Sequence, residues 1–326
     1  MQHVRRESRM PRPGAVGAVL GTARAVTRLA RDYDLLYANS QKAFIVGCVA
    51  AVFARKPVLW HLHDILDPDV FSRINIGVDV LLANLVAARV IANSQATATA
   101  LRAQGGTRAR VDVVYNGLDR AVSDAVTESE TAALRAALGL GGAPVLGLFG
   151  RIAPWKGQHI AIRALGLLGH DSRVQLLIVG DALFGEESYA AEIRELVRQL
   201  GLGSRVHFLG FRTDVPVLMR AVDVLVHTST APEPFGRVIA EGMLAERPVI
   251  ATAGGGASEI VKAGVTAWQV QPGDPAALAS AIREVLSNPG RAREIAAAGR
   301  ADALARFTLD VTLPQTERAI EQAVHA

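Results

Sequence analysis

Three apolar segments in the second half of the chain each run into a glycine turn and then into a helical pattern. They occupy residues 146–157, 222–241 and 249–260. In open α/β folds the strands joined by helices are parallel, and ligands bind beyond their carboxyl ends. We therefore predict that the three turns border one crevice at the edge of a parallel sheet.

The same alternation of apolar strand and helical period extends from about residue 35 onward, which predicts the α/β class. It predicts a helix at 78–87, strands near 145, 174, 206, 224 and 249, and a helix at 275–286. The tail from residue 291 is predicted to be helical with a break at 308–314. A chain of 326 residues exceeds the roughly 250–300 residues at which a single core usually stops growing. We therefore predict two domains: residues 1–118, and residues 143–305 after a charged, alanine-rich connector at 119–142 that contains one short helix.

Two carboxylates eight positions apart, Glu233 and Glu241, bracket a Phe-Gly pair in the second segment. A helix that opens at this pair and rises about 1.5 Å per residue places Glu241 on its second turn, while Glu233 stays in the loop above it. Pro232 and Pro234 fix φ on either side of Glu233 and stiffen that loop. One ligand can then contact both carboxylates; the alternative is an ordinary helix with a solvated glutamate at each end.

The first segment carries Arg151 and Lys156 between Gly150 and Gly157. A strand, a glycine turn and a helix amino terminus form an anion site, and two cations can neutralise a diphosphate that backbone amides orient. The segment is not a P-loop, because no Ser or Thr follows Lys156, and it lacks the G-x-G-x-x-G spacing of dinucleotide sites.

These motifs together resemble the retaining glycosyltransferases of family 4, over a region from about residue 33 to the C-terminus. The matching stretches are the Glu233/Glu241 pair, Gly150-Arg151 with Lys156-Gly157, Tyr115-Asn116-Gly117-Leu118-Asp119, Gly254-Gly255 with Glu259, and Gln271-Pro272-Gly273-Asp274. The resemblance implies the GT-B fold, in which two Rossmann-like domains face a crevice. It also implies that a last helix, at 306–326, packs back on the N-terminal domain.

The resemblance implies the role of each matching residue. Arg151 and Lys156 hold the diphosphate and stabilise its charge as the sugar departs, Glu233 binds the sugar hydroxyls, and Glu241 binds the ribose hydroxyls. His63, at the end of a strand, faces the donor sugar, whereas we expect His61 on the opposite face. The assigned catalytic residues are His63, Arg151, Lys156 and Glu233. The assigned donor-binding residues are Gly150, Phe211, Arg212, Phe235, Gly236 and Glu241.

Phe211 and Arg212 follow a strand at the position where the nucleotide base is usually cradled in this family, although a packed phenylalanine is nearly as good an interpretation. Phe235 and Gly236 are expected to contribute backbone amides beside Glu233.

The implied activity is transfer of a sugar from a nucleotide-diphosphate sugar to a glycan, lipid-linked or secondary-metabolite acceptor, with retention of anomeric configuration. No metal or other cofactor is expected, because no Asp-x-Asp or histidine cluster accompanies the phosphate segment and two cations can replace a divalent ion. The alternative is a non-catalytic glycosyltransferase-like subunit that binds nucleotide or a partner chain. A nucleotide-sugar epimerase of similar architecture is a more distant interpretation.

The beginning of the chain departs from the family pattern. A basic leader and one helix, at about 16–31, stand where the family has its first strands and a glycine loop, so on the order of 60 residues are missing at about 30 per βα repeat pair. The open explanations are a naturally short form, a misassigned start, or a partner that supplies the missing part.

The leader contains the arginines at 5, 6, 9, 12, 24, 28 and 31, with Glu7 as the acidic residue among them. Such a face attracts anionic lipid headgroups; the alternative is a solvated leader. The longest apolar stretch, 43–54, is too short to span a bilayer, which needs about 20 residues. Its Cys48 is the chain's single cysteine, which suits a reducing cytoplasm. We expect a cytoplasmic protein, peripheral to the inner membrane face, with no nucleic-acid partner.

Overall fold

The computed structural model describes residues 15–169 and 172–326. The arginines at 5, 6, 9 and 12 therefore lie outside the described residues. The chain forms two compact units: one contains the residues up to Gly117 together with Asp310–Ala326, and the other is Leu118–Leu309.

The helices and strands up to Gly117 are α1 (Ala15–Ala30), β1 (Leu36–Ala38), α2 (Gln41–Ala54), β2 (Val58–Leu62), α3 (Arg73–Leu85), β3 (Ala87–Ala92), α4 (Gln95–Ala103) and β4 (Val111–Val113). Those from Leu118 to the C-terminus are α5 (Arg120–Asp124), α6 (Glu128–Ala137), β5 (Val145–Phe149), α7 (Gln158–Leu167), β6 (Gln175–Val179), α8 (Glu187–Gln199), β7 (Val206–Gly210), α9 (Val215–Ala221), β8 (Val224–His227), α10 (Arg237–Leu244), β9 (Val249–Thr252), α11 (Ala257–Ile260), β10 (Trp268–Val270), α12 (Pro275–Ser287), α13 (Pro289–Arg306) and α14 (Leu309–Val324).

The first unit is built on a parallel sheet with the strand order β1-β2-β3-β4 in the described residues. Serine side chains start the helices that follow: Ser40, Ser72 and Ser94 each accept a hydrogen bond from the backbone N–H three residues ahead. This contact satisfies one of the amides that a helix start leaves without a partner. The serines therefore fix where α2, α3 and α4 begin.

Apolar side chains cover both faces of the first sheet. On one face, Trp60 of β2 stacks on Phe44 of α2, with ring centroids 4.3 Å apart and an interplanar angle of 4°. On the other face, Leu59 clusters with Ala319 and Ala323 of α14. Because successive residues of a strand point to opposite faces, β2 is buried on both sides.

The second unit is built on a parallel sheet with the order β10-β9-β8-β5-β6-β7 in the described residues. The chain starts at β5, adds β6 and β7 on one side, and then continues with β8, β9 and β10 on the other. This is the doubly wound arrangement, and the strand order reverses between β5 and β8. The two parallel sheets confirm the predicted α/β class.

Some predicted elements differ from the structure. The segment 119–142 contains two helices, α5 and α6, rather than one, and β10 is a strand that the sequence patterns did not indicate. The predicted helical break at 308–314 is limited to residues 307–308, and Pro314 lies inside α14.

Candidate active site

Glu233 is the centre of a buried polar cluster in the loop between β8 and α10. Its side chain is almost fully enclosed, at 7% exposed. Its Oε1 atom accepts hydrogen bonds from Lys156 Nζ at 2.6 Å, Ser229 Oγ at 2.5 Å and His227 Nε2 at 3.1 Å. Because an ionised carboxylate only accepts hydrogen bonds, Nε2 of His227 carries the proton in this contact.

The donors keep Glu233 ionised despite its burial. Burial alone opposes the charged form, but the hydrogen bond from His227 and the charge of Lys156 outweigh it and lower the pKa of Glu233 to about 2. All the side-chain donors reach Oε1, and Oε2 has no hydrogen-bond donor within residues 15–169 and 172–326.

The loops after β5 and β8 are held together through their backbones. Thr228 Oγ1 donates to the carbonyl of Lys156 at 2.9 Å, and the Thr230 amide donates to the carbonyl of Trp155 at 2.7 Å. Gly157 has a φ of 70°, and a Cβ there would lie 2.0 Å from the Thr228 carbonyl oxygen. A glycine is therefore needed where these loops meet, and the contact brings Lys156 to Glu233.

The glycine turn after β9 supports Glu233 from the other side. The Gly256 amide donates to the Glu233 carbonyl at 2.8 Å. A Cβ on Gly255 would lie 2.2 Å from that same carbonyl oxygen. The three glycine-marked strand exits therefore meet at the carboxyl edge of the second sheet, beside the point where the strand order reverses.

Arg151 and Glu241 lie in the same region but do not join the cluster. The Arg151 guanidinium lies over the exposed ring of Phe184, 5.2 Å from its centroid. Glu241 lies on the second turn of α10, as predicted, and its Oε1 accepts from Arg237 Nε at 2.6 Å. The structure thus brings together Lys156 and Glu233 of the assigned residues.

The remaining donor-binding candidates have different environments. Phe235 is buried and packs edge to face on Phe307, with centroids 5.6 Å apart, so its ring faces the protein core rather than a ligand. Gly236 has a φ of 101° and precedes α10.

Phe211 is 77% exposed. Arg212 forms a bidentate ion pair with Asp214, at 2.8 and 2.6 Å. The remaining candidate, Gly150, donates its amide to the carbonyl of Val179 on the neighbouring strand at 2.9 Å.

His63 belongs to the first unit, directly after β2. Its Nε2 lies 2.6 Å from Asn39 Oδ1, and its pKa is lowered by burial, against a smaller opposing effect of the Asp64 charge.

The expectation that His61 points to the opposite face is wrong: the His61 and His63 rings are 4.0 Å apart. Residues two apart in a strand share a face. His61 contacts Tyr37 OH through Nδ1 at 2.6 Å, and burial, followed by the effect of His63, lowers its pKa to about 3.

Sequence reasoning missed His227 and Ser229. His227 ends β8 and Ser229 follows two residues later. Polar residues directly after a buried strand were the available signal, because strand ends at the reversal of strand order bind ligands. Their contact with Glu233 depends on how the 228–232 loop folds back, which the pattern of residues does not show.

The described residues contain neither a metal-binding cluster nor a membrane-spanning helix. In residues 15–169 and 172–326, no group of three or more His, Cys, Asp or Glu side chains is arranged to hold a metal ion. No helix in that part of the chain combines the length and the apolar character needed to cross a bilayer.

Comparison with known families gives two matches that together cover most of the chain. Residues 131–302 match the family Glycosyl transferases group 1, and residues 2–122 match Glycosyltransferase Family 4. The first of these covers just over half of the chain.

Individual glycosyltransferases are also similar to the chain. The chain is 34% identical over 219 residues to 2-deoxystreptamine glucosyltransferase of Streptomyces kanamyceticus, covering 66% of the chain and 55% of that protein. It is 30% identical over 281 residues to D-inositol 3-phosphate glycosyltransferase of Nocardia farcinica, covering 81% and 61%. The chain thus spans between half and two thirds of the length of these curated relatives.

A solved structure is similar over nearly the whole chain. The crystal structure of Anabaena Alr3699/HepE in complex with UDP-glucose has a TM-score of 0.89 and 43% identity, covering 97% of this chain and 85% of that one. Together with the two parallel sheets, this likeness confirms the predicted GT-B fold.

Proposed function

The chain belongs to the glycosyltransferases of family 4, with a group 1 match over its second unit, and from this premise we propose that it transfers a sugar from a nucleotide-diphosphate sugar to an acceptor hydroxyl with retention of configuration. The donor we propose is a uridine-diphosphate sugar, on the basis of the likeness to Anabaena HepE, whose structure contains UDP-glucose. The acceptor class, a glycan, lipid-linked sugar or secondary metabolite, is part of the proposal.

The observation that carries the proposal is the Lys156–Glu233 pair at the reversal of strand order. An ionised carboxylate beside an ammonium group suits a ligand that offers sugar hydroxyls and a diphosphate. Lys156 and His227 engage Oε1 of Glu233, so Oε2 is the oxygen that we assign to the sugar hydroxyls. The Lys156 ammonium also lies 4.2 Å from the centroid of the Trp155 ring, which limits its freedom before a phosphate binds.

In the proposed reaction the bond between the anomeric carbon and the diphosphate oxygen breaks, and the acceptor oxygen bonds to that carbon on the same face. The acceptor proton passes to the departing diphosphate. Lys156 and Arg151 stabilise the negative charge that grows on the leaving group, which is the kind of electrostatic contribution that is often largest in catalysis. For Arg151 this role requires its guanidinium to leave the Phe184 ring, and an exposed contact of that kind costs about 0.5–1 kcal/mol to lose.

The remaining assignments are proposals that rest on the family resemblance. His63 is assigned to the donor sugar and Glu241 to the ribose, so Glu241 exchanges its Arg237 contact for the ribose hydroxyls. We propose that no metal ion takes part, which predicts equal rates with and without EDTA.

The test is release of UDP from UDP-glucose and from a panel of other nucleotide sugars. Glu233→Gln keeps the shape of the side chain and removes its charge, and Lys156→Met removes the ammonium group. We expect each to lower kcat about 100-fold to 1,000-fold, the range for loss of one transition-state contact. Glu195→Gln, which breaks an exposed pair with Arg198, is the matched control and should retain full activity.

The outcomes separate the proposed enzyme from the alternative subunit. Unchanged turnover in both site variants would remove the assignment of Glu233 and Lys156. Stabilisation by UDP without turnover of any donor would favour a nucleotide-binding subunit. Proton NMR of the first product gives its anomeric configuration, and an inverted product would contradict retention.

We also propose that the protein acts in the cytoplasm at the inner membrane face. Support comes from α1, where Arg24 and Arg28 are exposed beside the exposed Leu20 and Leu29. The full chain should sediment with vesicles that contain phosphatidylglycerol and not with phosphatidylcholine vesicles. Replacing Arg24 and Arg28 by Ser should weaken this binding; equal sedimentation with both vesicle types would contradict the proposal.

A further inference from the structure

A cavity lies at the end of the second sheet opposite to the Glu233 cluster. Its volume is about 580 Å³, and it is bordered by the residues that precede β5, β8 and β9 and by the first turns of α13. The strand β5 has five residues, and strands rise about 3.3 Å per residue, so the length of the sheet separates the cavity from the candidate active site.

Part of the charge around this cavity is already paired. Arg135 donates to the carbonyls of Ala221 at 2.6 Å and Ala143 at 3.0 Å, and it contacts Asp223 at 3.3 Å. Asp223 also accepts from the Val145 amide at 2.7 Å. Arg135 and Asp223 therefore hold the polypeptide together at this edge and neutralise each other.

Arg247 is in a different situation. The one hydrogen bond of its side chain in the described residues runs from Nε to the Ala245 carbonyl at a long 3.4 Å, so neither Nη nitrogen has an acceptor there. Burial lowers its pKa, and the charges of Arg220 and Arg135 act in the same direction, against Asp223 and Glu246. A half-buried guanidinium with unpaired Nη groups and cationic neighbours is the arrangement that an anion stabilises.

Other residues around the cavity add to this preference. Arg293, an exposed residue in the first turns of α13, is a second cation on its wall, and the amino end of a helix also favours negative charge. Besides Asp223, the wall contains the acidic residue Glu246; its Oε2 lies 3.9 Å from Arg300 Nε and its side chain is 48% exposed.

The rest of the wall is apolar, with Val285, Leu286, Ala292 and Ala296 among its residues. Small-molecule sites commonly measure about 300–1,000 Å³ and combine apolar walls with a few polar groups. The cavity therefore matches an organic molecule with an apolar body rather than a bare inorganic ion.

We propose that this cavity is a second ligand site, which binds a small organic anion through Arg247 and Arg293 and packs the apolar part of the anion against α12 and α13. The anionic group is a phosphate ester or a carboxylate, since the guanidinium fork pairs with both. The site does not depend on the proposed transferase activity, because its residues and its readout are separate from those of Glu233.

The experiment is isothermal titration calorimetry of the full chain and of its Lys156→Met variant, because binding that survives this substitution does not use the candidate active site. Phenyl phosphate and benzoate distinguish the phosphate and carboxylate forms of the ligand, and benzyl alcohol tests the apolar body without charge. We expect one saturable site for at least one of the two anions, and affinity for benzyl alcohol at least tenfold weaker.

Matched arginine variants locate the binding. Arg247→Gln and Arg293→Gln should each weaken the anion at least tenfold, while Arg163→Gln, which removes an exposed charge on α7, should leave it unchanged. If Arg247→Gln does not fold, as judged by circular dichroism, Arg293→Gln still decides, because Arg293 is exposed. Absence of saturable binding, equal affinity for benzyl alcohol, or equal weakening by Arg163→Gln would overturn the proposal.

Discussion

Glu233 is a buried carboxylate whose charge stabilises the folded protein as well as the proposed site. Its pKa falls from its usual 4.5 to about 2 in the folded state, so its stabilisation is present above about pH 4.5 and is lost as the pH falls toward 2. The unfolded state binds the proton first. As the pH falls from about 4 to about 3, protonation of Glu233 should therefore lower the free energy of unfolding by nearly 1.4 kcal/mol per pH unit. This slope adds to the pH dependence that other groups contribute.

The Glu233→Gln variant tests this linkage. Its free energy of unfolding, measured by urea titration at several pH values, should lack the extra slope between about pH 4 and pH 3. Glu294→Gln, at an exposed position of α13, should keep the slope of the parent protein. If the free energy of unfolding of Glu233→Gln had the same pH slope as that of the parent protein, Lys156 and His227 would not be holding the carboxylate ionised.

Asp79 has the opposite linkage in the first unit. It is 1% exposed, and neither carboxylate oxygen has a hydrogen-bond partner in the described residues. Burial, and then the charge of Asp64, raises its pKa from 3.8 to about 7. The folded state therefore retains a proton that the unfolded state has lost, and stability should decrease as the pH rises from about 4 to 7.

We expect Asp79→Asn to remove this decrease, which amounts to about 4 kcal/mol over the whole pH range at about 1.4 kcal/mol per unit. Thermal unfolding at pH 5 and at pH 8 measures the part of this decrease above pH 5, about 2.7 kcal/mol, and the variant should gain stability relative to the parent at pH 8. Asp69→Asn in an exposed loop is the control. If Asp79→Asn lost as much stability between the two pH values as the parent protein does, the raised pKa of Asp79 would be contradicted.

At the scale of elements, the junction of the β5 and β8 loops depends on Gly157. Gly157→Ala forces a left-handed φ on alanine, costing about 1–2 kcal/mol, and adds a clash with the Thr228 carbonyl that costs roughly a further 1–3 kcal/mol. Gly201 has a similar φ of 65° but open space around it, so Gly201→Ala isolates the backbone cost. Urea unfolding should show a clearly larger loss for Gly157→Ala, and the rate of UDP release should fall in that variant. If both variants lost the same free energy of unfolding, the clash with the Thr228 carbonyl would cost nothing, and the two loops would be free to separate.

The elements that could be predicted from sequence were those with a long apolar or helical pattern. The strands near 145, 174, 206, 224 and 249 and the helix from Pro275 were predicted and are confirmed. By contrast, α3 begins at Arg73 rather than at the predicted residue 78. Its start is set by the Ser72 cap, six residues before the predicted start, in a segment with no clear period.

The site could be predicted in part for a similar reason. Glycine turns and charged residues mark Lys156 and Glu233 in the sequence, and the structure places them 2.6 Å apart. The contributions of His227 and Ser229 need the path of the loop between β8 and α10, which is set by the hydrogen bonds of Thr228 and Thr230 to the neighbouring loop. Such contacts depend on residues more than 70 positions apart.

At the scale of the whole molecule, the chain passes from the first unit to the second and returns near the C-terminus. The outgoing and returning segments lie side by side: the Leu118 amide donates to the Phe307 carbonyl at 2.8 Å, and the Leu309 amide donates to the Leu118 carbonyl at 3.0 Å. The helix α14 then supplies Ala319 and Ala323 to the core of the first unit. The core of the first unit therefore combines residues that precede Gly117 with residues of the C-terminal helix.

Ala323→Asp tests this combined core. The side chain is fully buried against Leu59 and Ile91, and a carboxylate placed in this apolar cluster costs several kcal/mol. Hydrogen exchange followed by mass spectrometry should show faster exchange in β2 and β3, by about tenfold for each 1.4 kcal/mol lost, and unchanged exchange in β8 and β9. Gln322→Asp places the same charge on the exposed side of α14 and should leave both sheets unchanged. Faster exchange in both units would contradict this expectation, because it would mean that the two units unfold in one cooperative step.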